Sequence, residues 1–288
     1  MNGRSEVAWS ERLVVRDGVR LACRDWGGSG PPLLLLHGLA GHAGEWDPLA
    51  RRLTSRYRVI AVDQRGHGAA ERRPGDTRRA AYVADAIAVV EQLALHKPVL
   101  VGQSLGGHTA MLVAAARPDI ARALVLIEAG PGGPTPARPA EVGAWLRSWP
   151  IPFSSRAAAA EFFGGGPVGE AWAAGLEKRD TGWWPRFDQG VMVDSLAEIA
   201  QHSFWGEWSH ITCPTLLILA ETSLLPDQEA EQMLRIRCDT VAMSIPRTEH
   251  DLHLQRPDAL HAGLLDFLDN LPSHRAADGT TAAATHRY

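Results

Sequence analysis

The stretch from Pro98 to Ala116 constrains this chain more than any other. An apolar run, Pro-Val-Leu-Val, leads into Gly102-Gln103-Ser104-Leu105-Gly106, and a helical pattern, His-Thr-Ala-Met-Leu-Val-Ala-Ala-Ala, follows from His108. Gly-x-Ser-x-Gly between a strand and a helix is the pattern of a nucleophile elbow. The serine sits on a strained turn, and small residues at Gly102 and Gly106 let that turn close against its neighbours. Such a turn holds the serine oxygen out at the C-terminal end of its strand, above a helix N-terminus whose dipole favours developing negative charge. The five-residue string alone is common; its specificity comes from opening a helix directly after a buried strand.

The rest of the sequence supplies a sheet for that strand. Short runs rich in Val, Leu and Ile recur at 33–37, 58–63, 98–103, 123–128, 214–220 and 240–246. Helical patterns lie between or after them at 45–55, 79–95, 104–116, 228–235 and 259–268, and Pro257 suits the first turn of the last. Continuous apolar strands alternating with helices predict an α/β architecture with a mostly parallel sheet covered on both faces. Two extended segments, 12–16 and 20–26, are joined by Asp17-Gly18, a strong hairpin signal, and predict an antiparallel edge.

The alternation breaks between Pro131 and His210. This interval opens with Pro-Gly-Gly-Pro-Thr-Pro-Ala-Arg-Pro, contains Gly164-Gly165-Gly166, and offers no strand-like apolar run. It predicts a helical cap, 131–210, inserted into a core domain made of 1–130 and 211–272, with a polar tail, 273–288, expected to be disordered. Trp145, Trp149, Trp172, Trp183, Trp184, Trp205 and Trp208 all fall in the cap. Because tryptophan offers a large apolar face with one polar handle, an aromatic pocket is expected there, with Trp149, Trp183 and Trp184 binding substrate. The alternative is that these rings glue a small lid to the core.

Charge narrows the partners. The 29 basic and 33 acidic residues give a net charge of -4 and are dispersed, so there is no basic footprint for nucleic acid or an anionic membrane, and a small neutral substrate is favoured. Cys23, Cys213 and Cys238 are too scattered for a disulfide framework or a metal knuckle, which makes a reducing cytoplasm the expected compartment. No apolar run reaches the roughly 18 residues of a membrane span, and the N-terminal stretch lacks the apolar core of a signal peptide.

The order of elements, His37-Gly38-Leu39 after the first buried strand, Asp63-Gln64-Arg65-Gly66-His67-Gly68 after the next, and the elbow together resemble the α/β-hydrolase family over most of the chain. The resemblance implies that Ser104 is a nucleophile, that the backbone N–H groups of Leu39 and Leu105 form an oxyanion hole, and that Gly38 borders the substrate. A serine hydroxyl is a poor nucleophile until an imidazole takes its proton. The family places that histidine after the final strand, where Thr-Glu-His-Asp-Leu-His-Leu supplies His250, the expected base, and His253, the runner-up. His37 and His67 sit in motifs that shape the surroundings of the site in this family.

The orienting acid departs from the usual pattern. Most members carry it after the strand that here reads Pro-Thr-Leu-Leu-Ile-Leu-Ala, but the expected position holds Ser223, flanked by Glu221 and Asp227. A neutral hydroxyl cannot stabilise an imidazolium as a carboxylate does. One strand earlier, Ala-Leu-Val-Leu-Ile ends in Glu128, at the sheet edge where catalytic groups gather. Some lactonases and haloalkane dehalogenases of the family use a Glu at this location, so Glu128 is the expected acid, with Glu221 and Asp227 as alternatives. A serine rather than an aspartate nucleophile argues against dehalogenase and epoxide hydrolase chemistry. The implied activity is cleavage of a carboxylic ester or lactone carrying a bulky apolar or aromatic group, through an acyl-enzyme and without metal or organic cofactor. Carbon–carbon bond hydrolysis and perhydrolysis use the same residues, and a ligand receptor that turns over slowly or not at all is the rival from another class.

Overall fold

The computed structural model describes residues 8–271; the tail set apart at 273–288 lies outside the described residues. The strands, in chain order, are β1 (Ser10–Arg16), β2 (Val19–Gly27), β3 (Pro32–Leu36), β4 (Arg58–Val62), β5 (Val99–Gln103) and β6 (Ala123–Ile127), then a small separate hairpin, β7 (Leu176–Arg179) and β8 (Gly182–Pro185), and finally β9 (Thr215–Ala220) and β10 (Val241–Ile245). Eight of these form one sheet in the order β1-β2-β4-β3-β5-β6-β9-β10. The first two are antiparallel, β2 pairs antiparallel with β4, and every later pairing is parallel. Asp17 and Gly18 both take positive φ, 48° and 78°, as a two-residue hairpin turn demands.

Side chains of a strand alternate between faces, and the central strands use both. Leu34, Leu36, Ile60, Val62, Leu100 and Leu124 join one buried cluster; Leu33, Leu35, Val59, Val99, Val101 and Val125 join the other. Helices α2 (Arg79–Gln92) and α3 (Leu105–Ala116) cover the first face, contributing Val89, Met111 and Val113. Helices α1 (Asp47–Leu53) and the C-terminal helix Pro257–Asp269 cover the second with Leu49, Leu53, Leu260 and Leu264. Pro257 occupies the first turn of that helix. The sheet's far edge differs from its centre: Val241 in β10 is 52% exposed, because a strand without a neighbour on one side is covered less.

The inserted region carries helices α4 (Arg138–Arg147), α5 (Arg156–Phe162), α6 (Gly166–Ala174), α7 (Gln189–Asp194), α8 (Ala197–Gln201) and α9 (Trp205–His210). It also carries the β7–β8 hairpin, which corrects the expectation of an interval without strands. Its sequence, Leu-Glu-Lys-Arg then Gly-Trp-Trp-Pro, has no apolar alternation; the pairing is made by a Gly182 turn with φ 135° and by the backbone of Trp183, which exchanges hydrogen bonds with Phe153 at 2.9 and 3.0 Å. Two further helices, α10 (Asp227–Ile236) and α11 (Leu252–Gln255), precede α12, the Pro257–Asp269 helix, in the chain.

Candidate active site

The elbow is built as its glycines require. Ser104 takes φ 50° and ψ -119°, a conformation that costs a side-chain-bearing residue roughly 1–3 kcal/mol and persists only where its surroundings dictate it. Those surroundings are close. A Cβ on Gly102 would lie 2.3 Å from the Gly106 carbonyl oxygen, and one on Gly106 would lie 2.3 Å from that of Leu36. The Ser104 amide donates to the Ile127 carbonyl at 2.9 Å, tying the elbow to the end of β6, one residue before Glu128.

Glu128 also has positive φ, 53°, which turns its side chain from the strand end toward β9. Its carboxylate is fully buried and surrounded by donors. Oε1 accepts from the Ala220 amide and the Ser223 hydroxyl, each at 2.7 Å, while Oε2 accepts from the Leu224 amide at 3.0 Å and meets His250 Nδ1 at 3.4 Å. Burial alone would raise the carboxyl, but the bonds from His250, the two amides and Ser223 outweigh it and hold Glu128 below the usual carboxylate range. The residue that replaces an acid at 223 is therefore one of Glu128's donors, and its Oγ also accepts from the Leu225 amide at 3.0 Å. The alternative acids lie elsewhere. Glu221 takes the Arg247 amide, and Asp227 opens α10.

Ser104, His250 and Glu128 border one cavity of about 470 Å³ between the sheet and the cap, within the ordinary range for small-molecule sites. Gly38, Leu39 and Leu105 border it too, and Leu105 is the first residue of α3, where helix amides lack intrahelical partners. A Cβ on Gly38 would lie 2.1 Å from Gln103 Oε1 and 3.4 Å from Ser104 Cβ. Gln103 in turn donates to the His250 carbonyl at 3.1 Å, so one amide side chain links the Gly38 loop, the elbow and the His250 loop.

His253, His37 and His67 lie apart from this group. His253 is buried against Trp46, with ring centroids 5.1 Å apart, and its Nε2 lies 3.5 Å from Glu45 Oε2; it does not border the cavity. His37 is bracketed by the Gly38 carbonyl at 2.7 Å and the Gln64 amide at 3.1 Å, and burial pulls it down to about 4. Burial pulls His67 down to about 3, and its Nδ1 faces the Arg65 carbonyl at 2.9 Å. Both rings are neutral struts for the loops they occupy.

The tryptophans divide differently from expectation. Trp145 and Trp172 border the cavity, whereas Trp149, Trp183 and Trp184 do not. Trp149 is the centre of the cap's own core, edge-on to Trp145, Phe163 and Phe187 at 5.1, 4.7 and 5.5 Å. Trp184 donates to Thr181 at 3.0 Å beneath the Arg179 guanidinium. Lid packing accounts for these three. Nothing in its sequence context singles out Trp172, and its placement depends on a partner 79 residues away: its indole N–H donates to Asp251 at 2.9 Å, joining the inserted region to the loop that carries His250. No local pattern signals such a pair.

Ser104 on its strand-to-helix elbow, Glu128 at the end of the adjacent β6 and His250 in the loop after β10 thus meet at one cavity on a mostly parallel α/β sheet. The chain belongs to the alpha/beta hydrolase family, whose model matches residues 33–262. It is similar to 2-(acetamidomethylene)succinate hydrolase of Mesorhizobium japonicum, 28% identical over 249 residues, covering 84% of this chain and 89% of that protein. It is likewise similar to the mouse sn-1-specific diacylglycerol lipase ABHD11, 29% identical over 265 residues, covering 85% and 81%. Among solved structures, E-2-(acetamidomethylene)succinate hydrolase superposes with a TM-score of 0.83 at 25% identity, covering 91% of this chain and 99% of that one. The enol-lactonase of Burkholderia xenovorans LB400 shares the fold, with a TM-score of 0.75 at 19% identity over 90% of this chain and all of that one.

Proposed function

We propose that this chain is a serine hydrolase that cleaves a carboxylic ester or lactone through an acyl-enzyme on Ser104. The contact between His250 Nδ1 and the buried Glu128 carboxylate carries the reading, because it leaves Nε2 as the ring's proton acceptor. In this mechanism His250 takes the Ser104 proton as the oxygen attacks the substrate carbonyl, and the Leu39 and Leu105 amides receive the oxyanion. His250 then protonates the leaving alcohol, and a water, deprotonated by the same ring, releases the acid. Glu128 stays ionised throughout and stabilises the imidazolium. The donors around Glu128 also speak against the receptor reading, whose premise was an acid missing at Ser223.

The test is hydrolysis of a panel of 4-nitrophenyl esters and aromatic lactones by wild type and Ser104→Ala. Turnover in the wild type and a loss of at least about 10³-fold in a folded Ser104→Ala protein are expected, since removing the nucleophile of such a triad removes the acyl-enzyme route. A fluorophosphonate probe should add its mass to the Ser104 peptide alone. Undiminished turnover in Ser104→Ala would rule the reading out.

A further inference from the structure

Two adjacent residues of α6 reach two loops that border the cavity. The indole N–H of Trp172 donates to Asp251 Oδ2, on the residue directly after His250. The carbonyl of Ala171 is met at 3.0 Å by Nε2 of His42, in the loop that follows Leu39. His42 Nδ1 accepts from the Gly44 amide at 3.1 Å, so the ring proton sits on Nε2 and His42 is the donor to Ala171. α6 is therefore anchored without Asp251. The Trp172 ring adds to that anchorage, stacking on Phe163 with centroids 5.6 Å apart and meeting Trp145 and Trp149 edge-on. His250 is held less firmly. Its side chain is 32% exposed, and its contact with Glu128 is 3.4 Å, longer than the usual ~2.7–3.2 Å of an N–H to oxygen bond. The ring's approach to the acid is thus governed by the chain on either side of it. Gln103 holds the His250 carbonyl at 3.1 Å, and Trp172 holds the next side chain. The Asp251 carboxylate does not cap α11, which it precedes, and makes no other hydrogen bond among the described residues.

We propose that Trp172 and Asp251 are positioning residues for His250: the indole N–H, anchored on α6, holds the Asp251 carboxylate and so sets the His250 ring against Glu128. The proposal rests on the hydrolase reading for the chemistry that His250 performs, though not for the hold itself. Its consequence is that the inserted region completes the site as well as covering it. Because α6 keeps its bond to His42 and its ring contacts, removing the indole N–H releases the His250 loop and leaves the helix in place. A displacement of about 1 Å at a catalytic group costs about 10²-fold, so a shift of a fraction of that costs about tenfold. The hydrogen bond is the working part, and the charge of Asp251 is incidental to it, so an asparagine that keeps an oxygen acceptor preserves the hold.

The experiment measures kcat and KM on a 4-nitrophenyl ester for Trp172→Phe, which keeps an aromatic face and loses the N–H, for Asp251→Leu, which loses the acceptor, for Asp251→Asn, which keeps one, and for the double variant Trp172→Phe with Asp251→Leu. In the first two kcat should fall about tenfold or more with KM within about threefold, and Asp251→Asn should retain most of kcat. The double variant should fall no further than the lower single one, because both changes remove the same bond. Proton NMR supplies a measurement independent of turnover. The downfield His250 Nδ1–H resonance, identified by its loss in His250→Gln, should be lost in Trp172→Phe and Asp251→Leu and kept in Asp251→Asn. A Trp172→Phe protein with the kcat and the resonance of the wild type would overturn the proposal, as would losses that multiply in the double variant. A rise in KM with kcat kept would make Trp172 a substrate contact and would also overturn it. The expected pattern of resonances in a protein that hydrolyses nothing would sink the hydrolase reading while supporting the hold, and a wild type with neither turnover nor the resonance would overturn both.

Discussion

Replacing Glu128 by glutamine separates its charge from its shape. The carboxylate offers two acceptor oxygens to four donors; the amide has one oxygen and one NH2 group for the same four. With the oxygen on the Ala220 side, the NH2 group faces the Leu224 amide and His250. With the oxygen on the other side, the Ala220 amide is left facing a donor. Ala220 is buried at 4% exposure and Leu224 is 58% exposed, so losing the Ala220 bond costs about 1–3 kcal/mol, whereas the Leu224 amide can be hydrated. The first orientation wins, and it requires His250 Nδ1 to become an acceptor. The ring proton then sits on Nε2, in the tautomer that cannot take the Ser104 proton. The analogous acid-to-amide change in a Ser-His-Asp enzyme costs about 10⁴-fold in kcat, which corresponds to about 5 kcal/mol of barrier. Glu128→Gln should therefore lower kcat on a 4-nitrophenyl ester by about that factor with KM changed little. Glu221→Gln and Asp227→Asn should each stay within about tenfold, as expected for charges outside the triad. Ser223→Asp combined with Glu128→Gln should recover part of the activity, by placing a carboxylate in the family's commoner position. Urea unfolding supplies the companion measurement. Because the folded-state value of Glu128 lies below its unfolded value, its ionic contribution is present above about pH 4.5 and is lost as pH falls through the depressed value, so the stability gap between wild type and Glu128→Gln should narrow in acid. Activity within tenfold of wild type in folded Glu128→Gln protein would refute the argument.

Three further outcomes follow from other residues. His67 remains neutral when folded down to about pH 3, whereas the unfolded chain protonates near 6.5, so stability should fall with pH between about 6 and 4, and His67→Asn should remove about 1.4 kcal/mol per pH unit of that slope. A slope in urea titrations equal to that of the wild type would count against a buried neutral ring. Gly38→Ala drives a methyl group against Gln103, whose amide positions the His250 carbonyl; kcat should drop at least about tenfold, the scale of a misplaced catalytic group, and an unchanged kcat would show that Gln103 yields freely. Trp145→Ala should alter the ratio of kcat/KM for aromatic against acetyl esters by about fivefold or more, while Trp184→Ala should leave it within about twofold, and the opposite ranking would return the pocket to the hairpin.

What the sequence by itself determined is whatever depends on residues near one another in the chain. The strand-to-helix elbow was legible because Gly102, Ser104 and Gly106 are punctuation within five residues, and the Asp17-Gly18 hairpin because two positive φ values need those residue types. The central strands were legible because a strand buried on both faces has no polar positions to hide it. Contacts made across the chain were decided only by the tertiary structure. Ser223 reads as an absence in sequence, and becomes a donor to Glu128 only when β6 and β9 lie side by side with Ile127 opposite Ile218. The β7–β8 hairpin was missed because its pairing is carried by a glycine turn and by backbone bonds to Phe153, without the side-chain alternation that betrays a strand. Composition located the aromatic cap, but a tryptophan's identity does not say which way its ring points. Helix packing turned Trp149 into the cap's core and Trp145 and Trp172 toward the cavity, because a ring's burial is set by its neighbours in space.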